Sequence, residues 1–253
     1  MTVRPLRFSI MGFGEGVFDH GAFDALLERH VVPGADGVNR VDYARWRATK
    51  ADRAALWDYL RALQAARPAS LTRDEQFVFW VNLYNAETLR LVVDARPVKS
   101  VLWIRPGLLS IGPWKARTLR VDGTALSLDD IENRILRPGF ADPRVHYALN
   151  CASTGCPSLR PRAWRATGLD ADLDAAARAM INRPRAVSVK DGRLVLSRMF
   201  KWYRRDFGAD DAEVLAHLLV YADPGLAARL KGSSGIGAYV YDWSINDGMG
   251  KGR

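Results

Sequence analysis

Cysteine is almost absent from this chain: Cys151 and Cys156 are the only two in 253 residues, and they share one short segment. A disulfide-dense mini-scaffold is thereby excluded. Internal repeats and low-complexity tracts are also missing, which removes collagen-like and compositionally disordered classes. Long apolar runs are lacking too. The longest uncharged run of the first half, Phe77 to Ala86, is about half of the ~20 residues a membrane span needs. The opening residues, MTVRPLRFSIMGFGEGV, carry Arg4 and Arg7 but no apolar segment and no small-residue cleavage site of a secretory leader. The expectation is a protein that stays in the cytoplasm, or a periplasmic or secreted one whose leader has been removed.

Acidic residues are in deficit, 28 against 37 basic, giving a net charge of +9 with arginine supplying most of the positive side. Such an excess can attract nucleic acid, anionic lipid or an acidic small molecule. The arginines are dispersed, however, and the densest group, Arg160, Arg162 and Arg165, has no accompanying aromatic motif of the RNA-binding kind. No nucleic-acid partner is expected. The charge reads as a solubilising surface, with an acidic substrate as the secondary reading. What remains is an ordinary globular balance, 48% hydrophobic and 26% charged, in a chain long enough for a full core. Eight tryptophans, at 46, 57, 80, 103, 114, 164, 202 and 243, read mostly as core and cleft-wall positions.

The patterning predicts a helix over 18–31 entered at Asp19, and helical periodicity over 42–66. A capping box, Thr72-x-x-Glu75, opens the strongest helix, 73–94, which is apolar on nearly all sides and therefore central. Residues 98–126 read as β structure and loops, broken by Gly107, Gly112 and Pro113. Ser127-x-x-Asp130 caps a short helix that Pro138 ends. Residues 144–151 alternate, with Val145, Tyr147 and Leu149 on one face and His146, Ala148 and Asn150 on the other, which predicts a strand. A helix over 170–182, a hairpin over 186–196 turning at Asp191-Gly192, a helix over 211–222 and a tail with Tyr239, Tyr241 and Trp243 complete the reading. The expected fold is α+β: a helix-rich single domain, 18–247, with a small, partly antiparallel sheet, between tails at 1–17 and 248–253.

Polar side chains interrupt apolar sequence in four places: Asn82, Tyr84 and Asn85 in the central helix, Glu132, the His146 to Pro157 segment, and Lys201 to Phe207. The blocks FWVNLYNAETLRLV, LSLDDIENRILR, HYALNCASTGCPSLR, FKWYRRDF and YDWSIND resemble, in order, the signatures of the domain of unknown function 547 family, over about 18–247. Glu132, His146, Asn150, both cysteines, Pro157, Trp202, Tyr203, Asp206, Asp242 and Trp243 fall on that family's pattern. The resemblance implies no activity, since the family is uncharacterised. Its members include bacterial proteins with export leaders and plant proteins with an N-terminal coiled-coil or glutaredoxin-like extension.

Three chemistries suit the His146–Cys156 block. In thiol catalysis Cys151 attacks, with Cys156 as the substitute nucleophile, His146 handles the proton and Glu132 or Asn150 fixes the imidazole. Strict strand alternation sets His146 and Cys151 on opposite faces, which argues against direct contact. Asn82, Asn85 and Asn150 are the candidate substrate ligands, with Asn82 or Asn85 polarising a carbonyl, although bonds to loop backbone are the leading reading of the first two taken singly. A helix packed on a His-bearing strand shares a distant outline with papain-like and transglutaminase folds, except that this helix offers asparagine where theirs offers cysteine. The second chemistry is a zinc site on His146, Cys151 and Cys156 with Glu132 as fourth ligand, at a spacing that matches no standard module. The third is a Cys151–Cys156 disulfide, structural or redox, in a non-catalytic binding or assembly module. Asp206 is expected to accept backbone N–H groups or to pair with Arg204 or Arg205, and His20, His30 and His217 to lie on ordinary helix faces. The preferred expectation is a cysteine-dependent enzyme, without cofactor, performing acyl transfer or hydrolysis on a small amide, thioester or peptide-like substrate.

Overall fold

The computed structural model describes residues 14–95, 99–105 and 112–248. Most of the expected N-terminal tail, Gly107 and the end of the C-terminal tail lie outside the described residues. Four helices form the first half: α1 (Gly21–His30), α2 (Tyr43–Ala48), α3 (Lys50–Ala65) and α4 (Arg73–Asp94), with a short hairpin, β1 (Val31–Pro33) and β2 (Asn39–Val41), between α1 and α2. The helical stretch expected over 42–66 is two helices, because Thr49 is extended (φ −92°, ψ 96°) and ends one as it begins the other.

α4 is the helix the sequence predicts, with the same bounds. Thr72 Oγ accepts from Glu75 N–H at 3.3 Å, Asp74 and Glu75 suit the positive N-terminal end of the dipole, and no glycine or proline interrupts it. Nearly every side chain from Glu75 to Val93 is buried, Arg90 being the partial exception. A helix apolar all round must be enclosed on every side, and α2 and α3 pack on it, with α1 against them, in one large hydrophobic cluster with Trp46, Trp80 and Phe79. The histidines are core members rather than open-face residues: His20 Nδ1 meets Tyr59 OH at 2.6 Å, and His30, stacked on Trp46 at 4.4 Å, meets Asp52 Oδ2 at 2.7 Å.

The middle of the chain contains a 3-10 turn (Val101–Trp103) and a hairpin, β3 (Leu119–Val121) and β4 (Thr124–Leu126). The Ser127–Asp130 capping box forms with both reciprocal bonds, opening α5 (Leu128–Asp130). Pro138 does not end this helix. A π-helical turn, Ile131–Leu136, intervenes, with Arg137 N–H bonding Glu132 C=O, so that Pro138 enters at the start of a new segment, α6 (Arg137–Phe140), where its missing N–H is not required. Ala141, left-handed at φ 53°, stops it.

The strand expected over 144–151 is a helix instead, α7 (Val145–Ala148), followed by extended chain. Asp142 accepts the Arg144 N–H through its side chain at 2.8 Å and the Val145 N–H through its carbonyl at 3.2 Å. That start signal outweighs an alternation too short to distinguish strand from one helical turn.

A second hydrophobic cluster gathers α8 (Leu169–Ile181), the strands β5 (Val187–Lys190), β6 (Arg193–Ser197) and β7 (Ile236–Val240), and the helices α9 (Met199–Trp202), α10 (Arg204–Phe207), α11 (Asp211–Tyr221) and α12 (Pro224–Lys231). The β5–β6 turn carries Asp191 and Gly192 at φ 51° and 72°, the left-handed pair of a type I′ turn. β7 joins β6 in parallel. The expected helix-rich α+β class is found, with its strands divided among three small sheets rather than one. Among the described residues no helix is long and apolar enough to cross a membrane.

Asn85 ties these elements together. Its Nδ2 donates to Ala148 C=O at 3.0 Å and its Oδ1 accepts from Asn150 N–H at 2.8 Å, at 2% exposure. Asn85→Ala leaves both backbone groups buried and unpaired. The expected loss is about 2–4 kcal/mol in urea unfolding, against less than about 0.5 kcal/mol for Arg61→Ala at the exposed Asp58 pair. Equal losses from the two variants overturn this assignment.

Candidate active site

The segment after α7 forms a tight loop, 149–157, shaped by side-chain amides. Asn150 Nδ2 donates to Pro157 C=O at 2.6 Å, and its Oδ1 accepts from Ala152 N–H at 2.9 Å. Ala152, next to Cys151, is held at φ 62°, a left-handed conformation that costs a residue with a Cβ and that persists only where its surroundings impose it. The chain's final stretch closes the loop's other side. Thr154 N–H meets Ser244 C=O at 2.7 Å and Gly155 N–H meets Asp242 C=O at 2.9 Å. A Cβ at Gly155 would lie 2.9 Å from Asp242 N, so the close approach requires glycine.

Beside this loop lies a cavity of about 370 Å³. Its polar lining includes Cys151, Cys156, His146, Glu132, Asp129, Asn133 and Lys115, and its aromatic wall includes Tyr84, Trp114, Trp202, Tyr203, Tyr241 and Trp243. The expected residues Cys151, Cys156, His146 and Glu132 therefore meet in one cleft. Asn82, Asn85 and Asn150 do not join them. Asn82 brackets Trp164, donating to its C=O and accepting from its N–H at 3.0 Å each. Asn85 and Asn150 are committed to loop backbone as described. None of the three is among the residues lining the cavity, and Asn82 and Asn85 make the loop-backbone bonds that were the other expectation for them.

His146 is fixed by a different carboxylate from the one expected. Its Nε2 lies 2.6 Å from Asp206 Oδ2, whereas its Nδ1 lies 3.7 Å from Glu132 Oε1, beyond hydrogen-bond distance. Asp206 does not pair with Arg204 or Arg205. It takes a two-pronged grip from Arg137, Nε to Oδ2 at 2.5 Å and Nη2 to Oδ1 at 2.9 Å. Burial acts to raise the Asp206 pKa, but the bonds from His146 and Arg137 outweigh it and hold the carboxyl well below its ordinary range. Tyr203 stacks on the imidazole at 4.0 Å, with the Arg137 guanidinium over its other neighbourhood at 5.0 Å. Glu132 is met instead by Tyr84 OH at 3.4 Å. The π-helical turn presents Glu132 and Asn133 to the cavity, as such turns often do at functional sites.

Cys151 Sγ is bonded neither to His146 nor to Glu132. The hydroxyls of Ser153 and Tyr241 lie 3.1 and 3.2 Å from it and 2.9 Å from each other. Burial raises a thiol pKa, yet the hydrogen bonds from Cys156, Ser153 and Tyr241 prevail and bring Cys151 down to about 7. Burial and the neighbouring Cys151 push Cys156 up. Both cysteines are free thiols. The zinc alternative is not met, because among the described residues no group of three or more His, Cys, Asp or Glu converges closely enough to hold a metal ion.

Sequence reasoning missed Arg137, Ser153 and Tyr241 and misassigned Asp206. Asp206 and Tyr241 stood in blocks already singled out, FKWYRRDF and YDWSIND, but no spacing rule connects residues 60 and 90 positions distant from the groups they serve.

Fold and cleft together define a helix-rich α+β protein with a thiol and an imidazole–carboxylate pair on one aromatic-walled cavity. Residues 68–181 match the model of the family described as "Protein of unknown function, DUF547", which supports assigning that segment to the family. The match takes in α4, Glu132, His146 and both cysteines, and ends before Asp206 and Tyr241. No curated protein and no solved structure matches the chain, so the papain-like and transglutaminase outline gains no support.

The His146–Asp206 pair has a testable ionic signature. A folded-state pKa below the unfolded value of about 4 adds stability above that pH and loses it as pH falls toward the folded value. Asp206→Asn is expected to destabilise the protein at pH 7, and its deficit against wild type should shrink as pH drops from about 4 toward 2. Urea midpoints at several pH values measure this, and a constant deficit overturns the ionic reading.

Proposed function

We propose that the protein is a cysteine-dependent enzyme of acyl transfer or hydrolysis, acting on a small amide, thioester or peptide-like substrate. The observation that carries this reading is the stabilised Cys151 thiol in the wall of a cavity that also holds the His146–Asp206 pair. A thiolate is the nucleophilic form, and a thiol with its pKa near ambient pH is substantially ionised without help from a base.

The division of labour differs from a contact dyad. Ser153, Tyr241 and Cys156 stabilise the thiolate, so His146 need not create it. With Nε2 engaged by Asp206, His146 Nδ1 faces the cleft and Glu132, where it can protonate a departing amine or thiol and then activate water for release of the acyl group. The thiolate sulfur attacks the carbonyl carbon, a C–S bond forms, and the bond to the leaving group breaks as Nδ1–H is delivered to it. The Tyr241 hydroxyl, bonded to Cys151 Sγ before attack and released as the sulfur loses its charge, is the donor at hand for the developing oxyanion, in place of the asparagines. Among the described lining residues Lys115 is the only lysine or arginine, which suits an acidic group on the substrate. The aromatic wall suits an apolar or planar portion.

Two substrates that differ in leaving group test this. With an aryl amide, His146→Ala is expected to slow turnover by about 10²- to 10⁴-fold, but a thioester, whose thiolate leaves without a proton, should be far less affected. Cys151→Ala should abolish turnover of both, and an acyl adduct on Cys151 should appear by intact mass. Native alkylation of Cys151 by iodoacetamide should follow a midpoint near pH 7, displaced upward in Tyr241→Phe and Ser153→Ala. Turnover that survives Cys151→Ala overturns the proposal.

A further inference from the structure

The two thiols are placed for a reaction that acyl transfer does not use. Cys151 N–H donates to Cys156 Sγ at 2.9 Å. Since N–Cα is about 1.46 Å, Cys156 Sγ lies no more than about 4.4 Å from the Cys151 Cα, a separation compatible with a disulfide between the two. The loop between them is already closed and held. Cys156 N–H bonds Ser153 C=O at 3.1 Å. Arg185, from the second cluster, donates through Nη1 to Thr154 C=O at 2.8 Å and to Cys156 C=O at 2.7 Å. Access is unequal: Cys151 is half-buried in the cleft wall, but Cys156 is 6% exposed beneath it.

We propose that Cys151 is a site of reversible oxidation by hydroperoxides, with Cys156 as the thiol that resolves it into an intramolecular disulfide, shutting the cleft's nucleophile off. In the first step the Cys151 thiolate attacks one oxygen of hydrogen peroxide and the O–O bond breaks. Cys151 becomes a sulfenic acid, and the hydroxide that leaves takes up a proton as water. In the second, the Cys156 sulfur attacks the Cys151 sulfur, the S–O bond breaks, and the Cys156 proton leaves with the hydroxyl as a second water. Two thiols and one peroxide thus give one disulfide and two waters, and an added dithiol reverses the change. The lowered Cys151 pKa favours the first step, and the fixed loop favours the second, because the resolving sulfur is held within reach before oxidation begins. Nothing in this sequence requires an acyl substrate, so it stands or falls separately from the proposed activity.

The test treats wild type, Cys156→Ser and Cys151→Ser with hydrogen peroxide and reads intact mass and thiol content, with near-ultraviolet circular dichroism as the check of fold. Wild type is expected to lose about 2 Da and both thiols, and to regain them with dithiothreitol. Cys156→Ser should gain about 16 Da as a sulfenic acid, or about 138 Da where dimedone is present to trap it, and without the trap should pass on to sulfinic acid at least about tenfold faster than wild type. Cys151→Ser should keep its Cys156 thiol at the same dose. If Cys156→Ser does not fold, a Cys151–Cys156 cross-linked peptide formed in wild type at one peroxide per chain carries the same weight. Sulfinic or sulfonic acid at wild-type Cys151 with no loss of mass overturns the inference, and so does oxidation of Cys156 at an undiminished rate in Cys151→Ser.

Discussion

Two asparagines three residues apart on a fully buried helix decide where the reactive loop lies. The chain from 148 to 164 has little regular structure, yet much of it is buried, and buried backbone N–H and C=O groups must be paired. α4 pairs them through side chains: Asn85 with Ala148 and Asn150, Asn82 with Trp164. Asn150 then does for the Cys151 loop what Asn85 does for Asn150, spanning Ala152 and Pro157. Asparagine is poorly suited to helix interiors because its amide competes for backbone bonds. Here that competition is turned outward, and the amides act as short lengths of sheet edge projecting from a helix.

The consequence for chemistry is a thiol positioned by backbone rather than by an imidazole. Cys151 takes its hydrogen bonds from Ser153, Tyr241 and Cys156, all on or against its own loop. His146 takes its orientation from Asp206, itself anchored by Arg137. The two reactive groups are thus tuned separately on facing parts of one cavity. A direct thiol–imidazole bond couples the two ionisations into one pair. Separate anchoring lets the thiol and the imidazole keep their own partners while both line the same cavity.

How far this was legible in the sequence depends on the range of the interaction. α4, both N-terminal caps, the Asp191-Gly192 hairpin and the helix-rich α+β class follow from local pattern, because capping and turn chemistry act within four residues. The same local rule failed at 144–151, where Val145, Tyr147 and Leu149 mimic a strand. The outcome was set by Asp142 at the start of a helical turn and by packing on both hydrophobic clusters. Pro138 failed as a stop signal because a π-helical turn shifted the bond register just before it. Convergence of Glu132, His146 and the cysteines was legible as polar residues in apolar sequence. The partners that tune them, Asp206 and Tyr241, come from distant elements, and their placement is a product of tertiary packing that no periodicity encodes.

That packing gives α7 its particular importance. Val145 and Ala148 belong to the first hydrophobic cluster and Tyr147 to the second, so the single turn carrying His146 lies along the seam between the two cores. Asp206 rides on α10, whose Phe207 is in the second cluster, while Arg137, which grips it, directly follows the π-helical turn packed against α4. The ion pair therefore crosses the seam, and so does Arg185 where it holds the carbonyls of the Cys151–Cys156 loop. A displacement of one core against the other would break the Arg137–Asp206 grip and release the cysteine loop together. The alignment of thiol and imidazole is in this sense a readout of whether the two cores are correctly docked, since Asp206 and Tyr241, which hold the two groups, come from elements distant from them in sequence.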